Sequence, residues 1–140
     1  MDIDRDCLET VTKFARIYSS ERKAEINFEM TLERRKAIED ADVVINLAMA
    51  GGHSYYDRMR RISEKYGYYR RINSVEWNMV SDYHTIWEFK QFKLALEIAH
   101  GMERYSPDSW LIQISNPVPE LTTLLGRETK LRIICLCHGH

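Results

Sequence analysis

The chain has 140 residues, of which 44% are hydrophobic and 29% charged, values typical of one globular domain with a core of its own. A formal net charge of −1 and the lack of any apolar run near the ~20 residues that span a bilayer give no basis for a nucleic-acid partner or a membrane partner. The three cysteines, an odd number, argue against a disulfide framework and favour a reducing, cytoplasmic setting.

The first part of the chain alternates between the two periodicities of regular structure. Residues 1–4 read as the end of a strand, and apolar residues at helical spacing then predict an amphipathic helix over residues 5–19. Residues 26–30 alternate apolar with polar side chains, which predicts a strand with one solvated face. A helix over residues 32–39 follows. Residues 42–48 are almost continuously apolar, which is typical of a strand buried in a parallel sheet.

The middle of the chain begins with Gly51, Gly52 and His53 directly after that buried strand. A helix is predicted over residues 54–66, and residues 68–83 are aromatic without a clean period. The longest predicted helix covers residues 85–105 and is closed by a proline two positions later.

The last part of the chain contains a strand over residues 110–114, a turn at Asn116 and Pro117, and a short helix over residues 122–125 that Gly126 is expected to end. The final predicted strand covers residues 131–136. Because strands and helices alternate, the pattern favours an α/β fold with a mostly parallel, Rossmann-like sheet and flanking helices.

A glycine-rich phosphate loop of the type G-x-G-x-x-G does not occur in the sequence. In dinucleotide-binding folds this loop follows the first strand, and an acid at the end of the second strand binds the ribose. Asp2 and Asp4 suit that acidic position, in which case residues 1–140 would be a partial domain without the first strand and its loop. From these four residues alone, the favoured interpretation is that both acids merely stabilise a helix N-terminus.

The final strand leads directly into Cys137, His138 and His140, which are thiolate and imidazole ligands at the sheet edge where α/β folds bind ligands. Thiolate ligands on their own would suggest zinc. A zinc knuckle that includes Cys135 is conceivable but lacks a second pair of ligands, and we expect Cys135 to be a core residue.

Several short motifs together resemble glycoside hydrolase family 4, the NAD- and manganese-dependent glycosidases. In chain order these motifs are residues 1–4 (MDID), 40–46 (DADVVIN), 51–53 (GGH), 66–69 (YGYY), 78–82 (NMVSD), 116–117 (NP) and 137–140 (CHGH). Each motif alone is common, but their order and approximate spacing run from the first residue to the last. The resemblance implies NAD and Mn²⁺, or another divalent metal, as cofactors.

The resemblance also implies a redox route to hydrolysis, an exception to the usual carboxylate pair. NAD⁺ would accept hydride from carbon 3 of the sugar, a base would remove the carbon 2 proton, the leaving group would depart, and water would add before carbon 3 is reduced again. The implied residues are Cys137 for the metal; His138 as the acid that protonates the leaving group; Asn116, Asp82 and His140 for the substrate; and Asp2, Gly51, Gly52 and His53 for NAD.

The Cys-His-Gly-His sequence resembles the family group that contains α-glucuronidases. His138 therefore argues against a 6-phospho-sugar, and the expected substrate is an α-glycoside, an α-glucuronide or an α-glucoside. A homo-oligomer is expected of the full-length protein, whereas the 140 residues alone are expected to be inactive. Two other interpretations remain open: an NAD-dependent dehydrogenase of a sugar or hydroxy acid, and a non-enzymatic metal-binding domain.

Overall fold

The computed structural model describes residues 1–67 and 89–136. Helices alternate with strands along these residues, much as the periodicity predicts. The elements in chain order are α1 (Arg5–Glu21), α2 (Arg34–Ile38), β1 (Val43–Asn46), α3 (Gly52–Lys65), α4 (Phe89–Tyr105), β2 (Trp110–Gln113), α5 (Val118–Glu128) and β3 (Arg132–Cys135).

The three described strands form one parallel sheet in the order β1-β2-β3. Val44, Leu111 and Ile133 stand next to one another across the sheet, and so do Asn46, Gln113 and Cys135. The predicted mostly parallel, Rossmann-like α/β architecture is confirmed. The expectation that β1 is a buried strand was wrong for one of its faces, because Val43 and Ile45 are 48% and 56% exposed on the side of the sheet that no described residue covers.

One face of this sheet is covered by helices α2, α4 and α5. The covered face presents Leu111, which is fully buried, with Val44 and Ile133 packed beside it. The helices bury one apolar stripe each against this row, and the buried side chains they contribute are Ile38, Ala95, Ile98, Ala99, Met102, Leu121 and Leu125. The hydrophobic core of the described residues therefore lies on this side of the sheet.

The opposite face of the sheet remains open among the described residues. Ile45 and Ile134 flank Ile112 on this face and are 56% and 42% exposed. Trp110 lies one row away, with the Arg132 guanidinium 5.9 Å from the centroid of its ring. None of the helices in residues 1–67 and 89–136 has the length and hydrophobicity that crossing a bilayer requires.

Two predicted strand segments do not form strands. Residues 26–30 have no strand partner among the described residues, and Ile26 and Met30 are exposed; the Arg16 guanidinium donates to the carbonyl oxygen of Phe28 at 2.9 Å. Residues 1–4 are also not a strand, and the Asp4 carboxylate caps α1 by accepting from the Cys7 N–H at 3.0 Å. The prediction was wrong for residues 26–30 because a strand requires a partner to pair with. At residues 1–4, the cap agrees with the alternative that Asp4 stabilises the N-terminus of a helix.

The helix predicted over residues 122–125 is longer at both ends. Helix α5 runs from Val118 to Glu128 and continues through Gly126, which was expected to stop it. Val118, Leu121 and Leu125 are all buried on one face of α5. That packing outweighs the helix cost of one glycine, which is about 1 kcal/mol relative to alanine.

Replacing Gly126 with alanine is expected to raise the free energy of unfolding by about 0.5–1 kcal/mol. Gly126 is exposed in the last turn of α5, and a Cβ added there would meet no atom of the described residues within 4 Å. The gain would therefore come from the unfolded chain, which loses conformational freedom. Urea denaturation followed by circular dichroism measures it; a destabilised variant would contradict the helix through Gly126.

Candidate functional site

The carboxyl ends of the three strands lie together at one edge of the sheet, here called the carboxyl edge. Asn46, Gln113 and Cys135 are its last paired residues. Beyond them, the Ser115 N–H donates to the carbonyl oxygen of Asn46, and the Leu136 N–H donates to that of Gln113, each at 3.0 Å. The three chain segments that leave the sheet therefore begin side by side, in the position where parallel α/β sheets bind ligands.

A chain of buried amides connects two of these segments. The Asn46 Nδ2 donates to Gln113 Oε1 at 2.9 Å, and Gln113 Nε2 donates to the carbonyl oxygen and the Oγ of Ser115 at 2.8 and 2.6 Å. The Ala48 N–H donates to Asn46 Oδ1 at 3.1 Å. Gln113 is fully buried, so these bonds satisfy groups that would otherwise destabilise the fold. We call Asn46, Gln113 and Ser115 the amide network.

Gln91 on α4 holds the segment that leaves β1. This side chain is 1% exposed, and its Nε2 donates to the carbonyl oxygen of Ala48 at 2.8 Å. Its Oε1 accepts from the Ala50 N–H at 2.7 Å. One amide therefore fixes the backbone on both sides of Met49, and we call residues 48–52 the glycine loop.

Gly51 and Gly52 end the glycine loop and begin α3. Both have a positive φ, 86° and 68°, the region that favours glycine. A Cβ on Gly51 would lie 2.9 Å from the Tyr55 ring, whereas a Cβ on Gly52 would meet no atom of the described residues within 4 Å. Glycine is therefore required at position 51 both for the backbone conformation and because a side chain would clash with Tyr55. At position 52, glycine leaves the loop backbone uncovered by the described side chains.

Replacing Gly51 with alanine is expected to lower the free energy of unfolding by about 2 kcal/mol, because backbone strain and a clash with Tyr55 add. Replacing Gly52 with alanine is the matched control: it has the strain but not the clash, and should cost about 1 kcal/mol. Thermal and urea denaturation measure both variants. Equal losses at the two positions would show that the Tyr55 contact contributes nothing.

The structure brings together some of the sequence-predicted site residues. Gly51, Gly52 and the backbone of His53 lie at the start of α3, and half-buried Asn116 lies after β2, both beyond the carboxyl edge. Asp2 precedes α1, where its Oδ1 accepts from the Asp4 N–H at 3.0 Å. The other predicted site residues fall outside the described residues, namely Asp82, Cys137, His138 and His140.

Cys135 is exposed, so the expectation that it is a core residue was wrong. It lies in β3, next to Gln113 at the outer side of the sheet, where no further described strand covers it. Within residues 1–67 and 89–136, no cluster of three or more His, Cys, Asp or Glu side chains is arranged to hold a metal ion.

Two carboxylates among the described residues are held by nearby donors, Asp57 on α3 and Glu103 at the end of α4 remote from the carboxyl edge. Hydrogen bonds from Arg60, together with the charge of Arg61, hold the pKa of Asp57 on α3 below its usual value. On α4, the Lys130 N–H and His100 hydrogen-bond Glu103 and lower the pKa of its carboxyl group. The Asp57 carboxylate stabilises α3, and the Glu103 carboxylate binds the segment just before β3. Because the lowered pKa keeps both groups ionised, neither suits a role as a proton donor.

The amide network and Gln91 were missed in the sequence. A usable signal existed for the network, because Asn46 and Gln113 are single polar residues inside two apolar strands, at equivalent positions in each. A polar amide inside a strand that is buried needs a partner there. Gln91 gave no such signal, since its two partners are backbone atoms 41 and 43 residues away.

Comparison with known proteins gives a match over the whole chain. The model for the family described as "Family 4 glycosyl hydrolase" matches residues 1–140. In Bacillus subtilis (strain 168), a protein named "Probable 6-phospho-beta-glucosidase" is 31% identical over 114 residues, which are 81% of this chain and 24% of that protein. An α-galactosidase of the same strain is 28% identical over 108 residues, 76% of this chain and 24% of that protein.

The fold has a close counterpart among solved structures. A 6-phospho-α-glucosidase from gut microorganisms, crystallised in complex with NAD and Mn²⁺, superposes with a TM-score of 0.79 at 27% identity. The superposition covers 97% of this chain and 30% of that chain. The chain therefore spans less than a third of the length of the relatives it matches.

Proposed function

The chain belongs to glycosyl hydrolase family 4, and from this premise we propose that its residues form part of an NAD- and Mn²⁺-dependent glycosidase that hydrolyses an α-glycoside. The observation that carries the proposal is the family match over residues 1–140, together with the shared fold of a protein crystallised with NAD and Mn²⁺. Residues 1–140 would be a partial NAD-binding domain that ends in the metal-site motif.

The carboxyl edge suits a dinucleotide. The glycine loop passes close to this edge, and no described residue covers Gly52, so that another molecule could approach its backbone. We assign Gly51, Gly52 and His53 to the lining of the cofactor site and Asp2 to the ribose. When bound, NAD⁺ would accept and return a hydride at carbon 3, and the metal ion would polarise the oxygen on that carbon.

Cys137 and His138 carry the proposed chemistry at the end of β3. A thiolate at Cys137 would be one ligand of the divalent metal, with its other ligands outside the described residues. The imidazole of His138 would donate a proton to the oxygen of the leaving group, a task that suits a group titrating near neutral pH. The Leu136 N–H bond to Gln113 supports this placement, because the chain leaves the sheet beside the Asn116 segment.

Asn116, Asp82 and His140 are assigned to the substrate. An asparagine amide can donate to one sugar hydroxyl and accept from another, and Asn116 is half-buried directly after β2. The Cys-His-Gly-His sequence favours an α-glucuronide or an α-glucoside over a 6-phospho-sugar. The relatives include both phospho-glycosidases and an α-galactosidase at similar identity, so overall identity does not distinguish between their substrates. The proposed substrate class therefore rests on the Cys-His-Gly-His sequence.

We expect the 140 residues alone to release no 4-nitrophenol from nitrophenyl α-glucuronide or α-glucoside, with or without NAD⁺ and Mn²⁺. The reason is that the chain spans only 24–30% of the length of its relatives. Absorbance of 4-nitrophenol at alkaline pH measures this. Any release that depends on NAD⁺ would contradict the expectation.

The function itself is tested on the longest chain that the DNA around this reading frame encodes. That protein should release 4-nitrophenol only when both NAD⁺ and Mn²⁺ are present, and Cys137→Ser should abolish the release. Nitrophenyl 6-phospho-α-glucoside is the matched substrate control and should be the poorer substrate. Activity without NAD⁺, or full activity in Cys137→Ser, would refute the proposal.

A further inference from the structure

We propose that Gln91 is a positioning residue of the cofactor site: its buried amide fixes the glycine loop in the shape that receives the dinucleotide. The inference rests on the proposed function, in which this loop lines the NAD site. Nothing in the sequence motifs assigns a role to Gln91. The evidence for it is the burial of the side chain and its two short hydrogen bonds to the loop backbone.

Gln91 lies on the apolar stripe of α4. The buried residues of this helix recur at positions 91, 95, 98 and 102, so Gln91 occupies a place where an apolar side chain would pack. A polar side chain that is 1% exposed costs stability unless its amide is fully used. Both ends of this amide are used, and both partners belong to the glycine loop rather than to α4 or to the sheet.

The two bonds constrain the loop more tightly than one bond could. The carbonyl oxygen of Ala48 and the N–H of Ala50 face the same amide, which fixes the direction of the chain immediately before Gly51. Asn46 fixes the Ala48 N–H from the other side. The chain that leads into Gly51 and Gly52 is thus held in one position, which orients their backbone groups. A loop that is ordered before binding avoids the entropic cost of becoming ordered when the ligand binds.

Gln91→Met tests the role because methionine keeps the length and volume of the side chain but neither donates to Ala48 nor accepts well from Ala50. In the ¹⁵N-labelled chain we expect the Ala50 amide hydrogen to exchange about tenfold faster in the variant, and the NAD⁺ affinity, read from shifts of the Gly51 and Gly52 amides, to fall about tenfold. The NMR titration uses millimolar NAD⁺, so that weak binding is detected.

Gln91→Glu provides a rescue that a merely structural role would not produce. A protonated carboxyl group can donate to Ala48 and accept from Ala50 as the amide does, whereas the ionised form cannot donate. Burial favours the protonated form, so NAD⁺ affinity relative to the wild type should recover as the pH falls from about 8 to about 5. The facing loop, residues 48–52, has no titratable side chain, and the charged neighbour Lys90 on α4 has its Nζ 4.4 Å from the Tyr55 ring centroid.

Leu125→Ala is the control for general destabilisation, because Leu125 is buried in the core on α5, two turns along the helix from the carboxyl edge. It should lower the melting temperature and leave NAD⁺-induced shifts unchanged. Unchanged NAD⁺ binding in Gln91→Met, or a Gln91→Glu response that does not vary with pH relative to the wild type, would overturn the inference while leaving the proposed function intact. If neither the 140 residues nor the longest encoded chain shows an NAD⁺-induced shift at the glycine loop in the wild type, the proposed cofactor role of this loop would fail, and the inference would fall with it.

Discussion

Replacing Leu111 with alanine is expected to lower the free energy of unfolding by about 3 kcal/mol. Leu111 is fully buried in the middle strand, between Val44 and Ile133, beneath the helices that cover one face of the sheet. Its removal would leave a cavity that the neighbouring strands cannot close, since each is held by the sheet ladder. Urea denaturation of the purified chain, followed by circular dichroism, measures the loss.

Ile134→Ala is the matched control on the opposite face of the sheet. It removes a side chain of similar size, but Ile134 is 42% exposed, so the expected loss is less than about 1 kcal/mol. A large difference between the two variants would establish that the core of the described residues is one-sided. Similar losses would mean that the open face is covered in solution, either by residues outside the described part or by a second chain.

The elements that the sequence predicted well are those that bury a regular stripe. Strand β2 was predicted to within one residue, and the predicted end of helix α4 at residue 105 is confirmed, whereas its predicted start at residues 85–88 lies outside the described residues. Ala99 of the predicted apolar stripe is buried, but Phe89 is 73% exposed. A hydrophobic period spans only neighbouring residues, so it can be recognised from the sequence without knowing the tertiary structure. The parallel sheet followed from the order of the elements.

The elements that failed depend on distant partners. The alternation in residues 26–30 is a genuine strand pattern, but no described strand pairs with it, and Ile26 remains exposed. The helix stop expected at Gly126 fails for the opposite reason: glycine is the usual residue for a helix stop, yet Leu121 and Leu125, which precede it, pack into the core and α5 continues to Glu128. Tertiary packing overrides a local preference of about 1 kcal/mol in such cases.

The candidate site was half predictable for the same reason. The positions of Gly51 and Asn116 beyond the carboxyl edge follow from the rule that ligands bind there in parallel sheets. The residues that hold these segments, Gln91 and Gln113, were not found, because their partners are set by the packing of α4 and β2 rather than by spacing. The sequence therefore predicts that Gly51 and Asn116 lie at the carboxyl edge, and the structure adds the buried amides that fix these two segments.

Replacing Gln113 with methionine is expected to lower the free energy of unfolding by about 3 kcal/mol. Methionine fills the same volume but offers no partner to Asn46 or to Ser115, and these groups stay buried. Each buried polar group left without a partner costs about 1–3 kcal/mol. Urea denaturation measures the loss, and the wild-type unfolding slope should be retained if the native fold persists.

The double variant Asn46→Leu with Gln113→Met separates the bond between the two amides from their other contacts. Asn46→Leu alone leaves Gln113 Oε1 without its donor, and Gln113→Met alone leaves Asn46 Nδ2 without its acceptor, so each single variant includes the same lost bond. The double variant should therefore cost less than the sum of the two, by about 1–2 kcal/mol. Additive losses would mean that the amides act independently, and that the β1 and β2 segments at the carboxyl edge are held separately rather than as one unit.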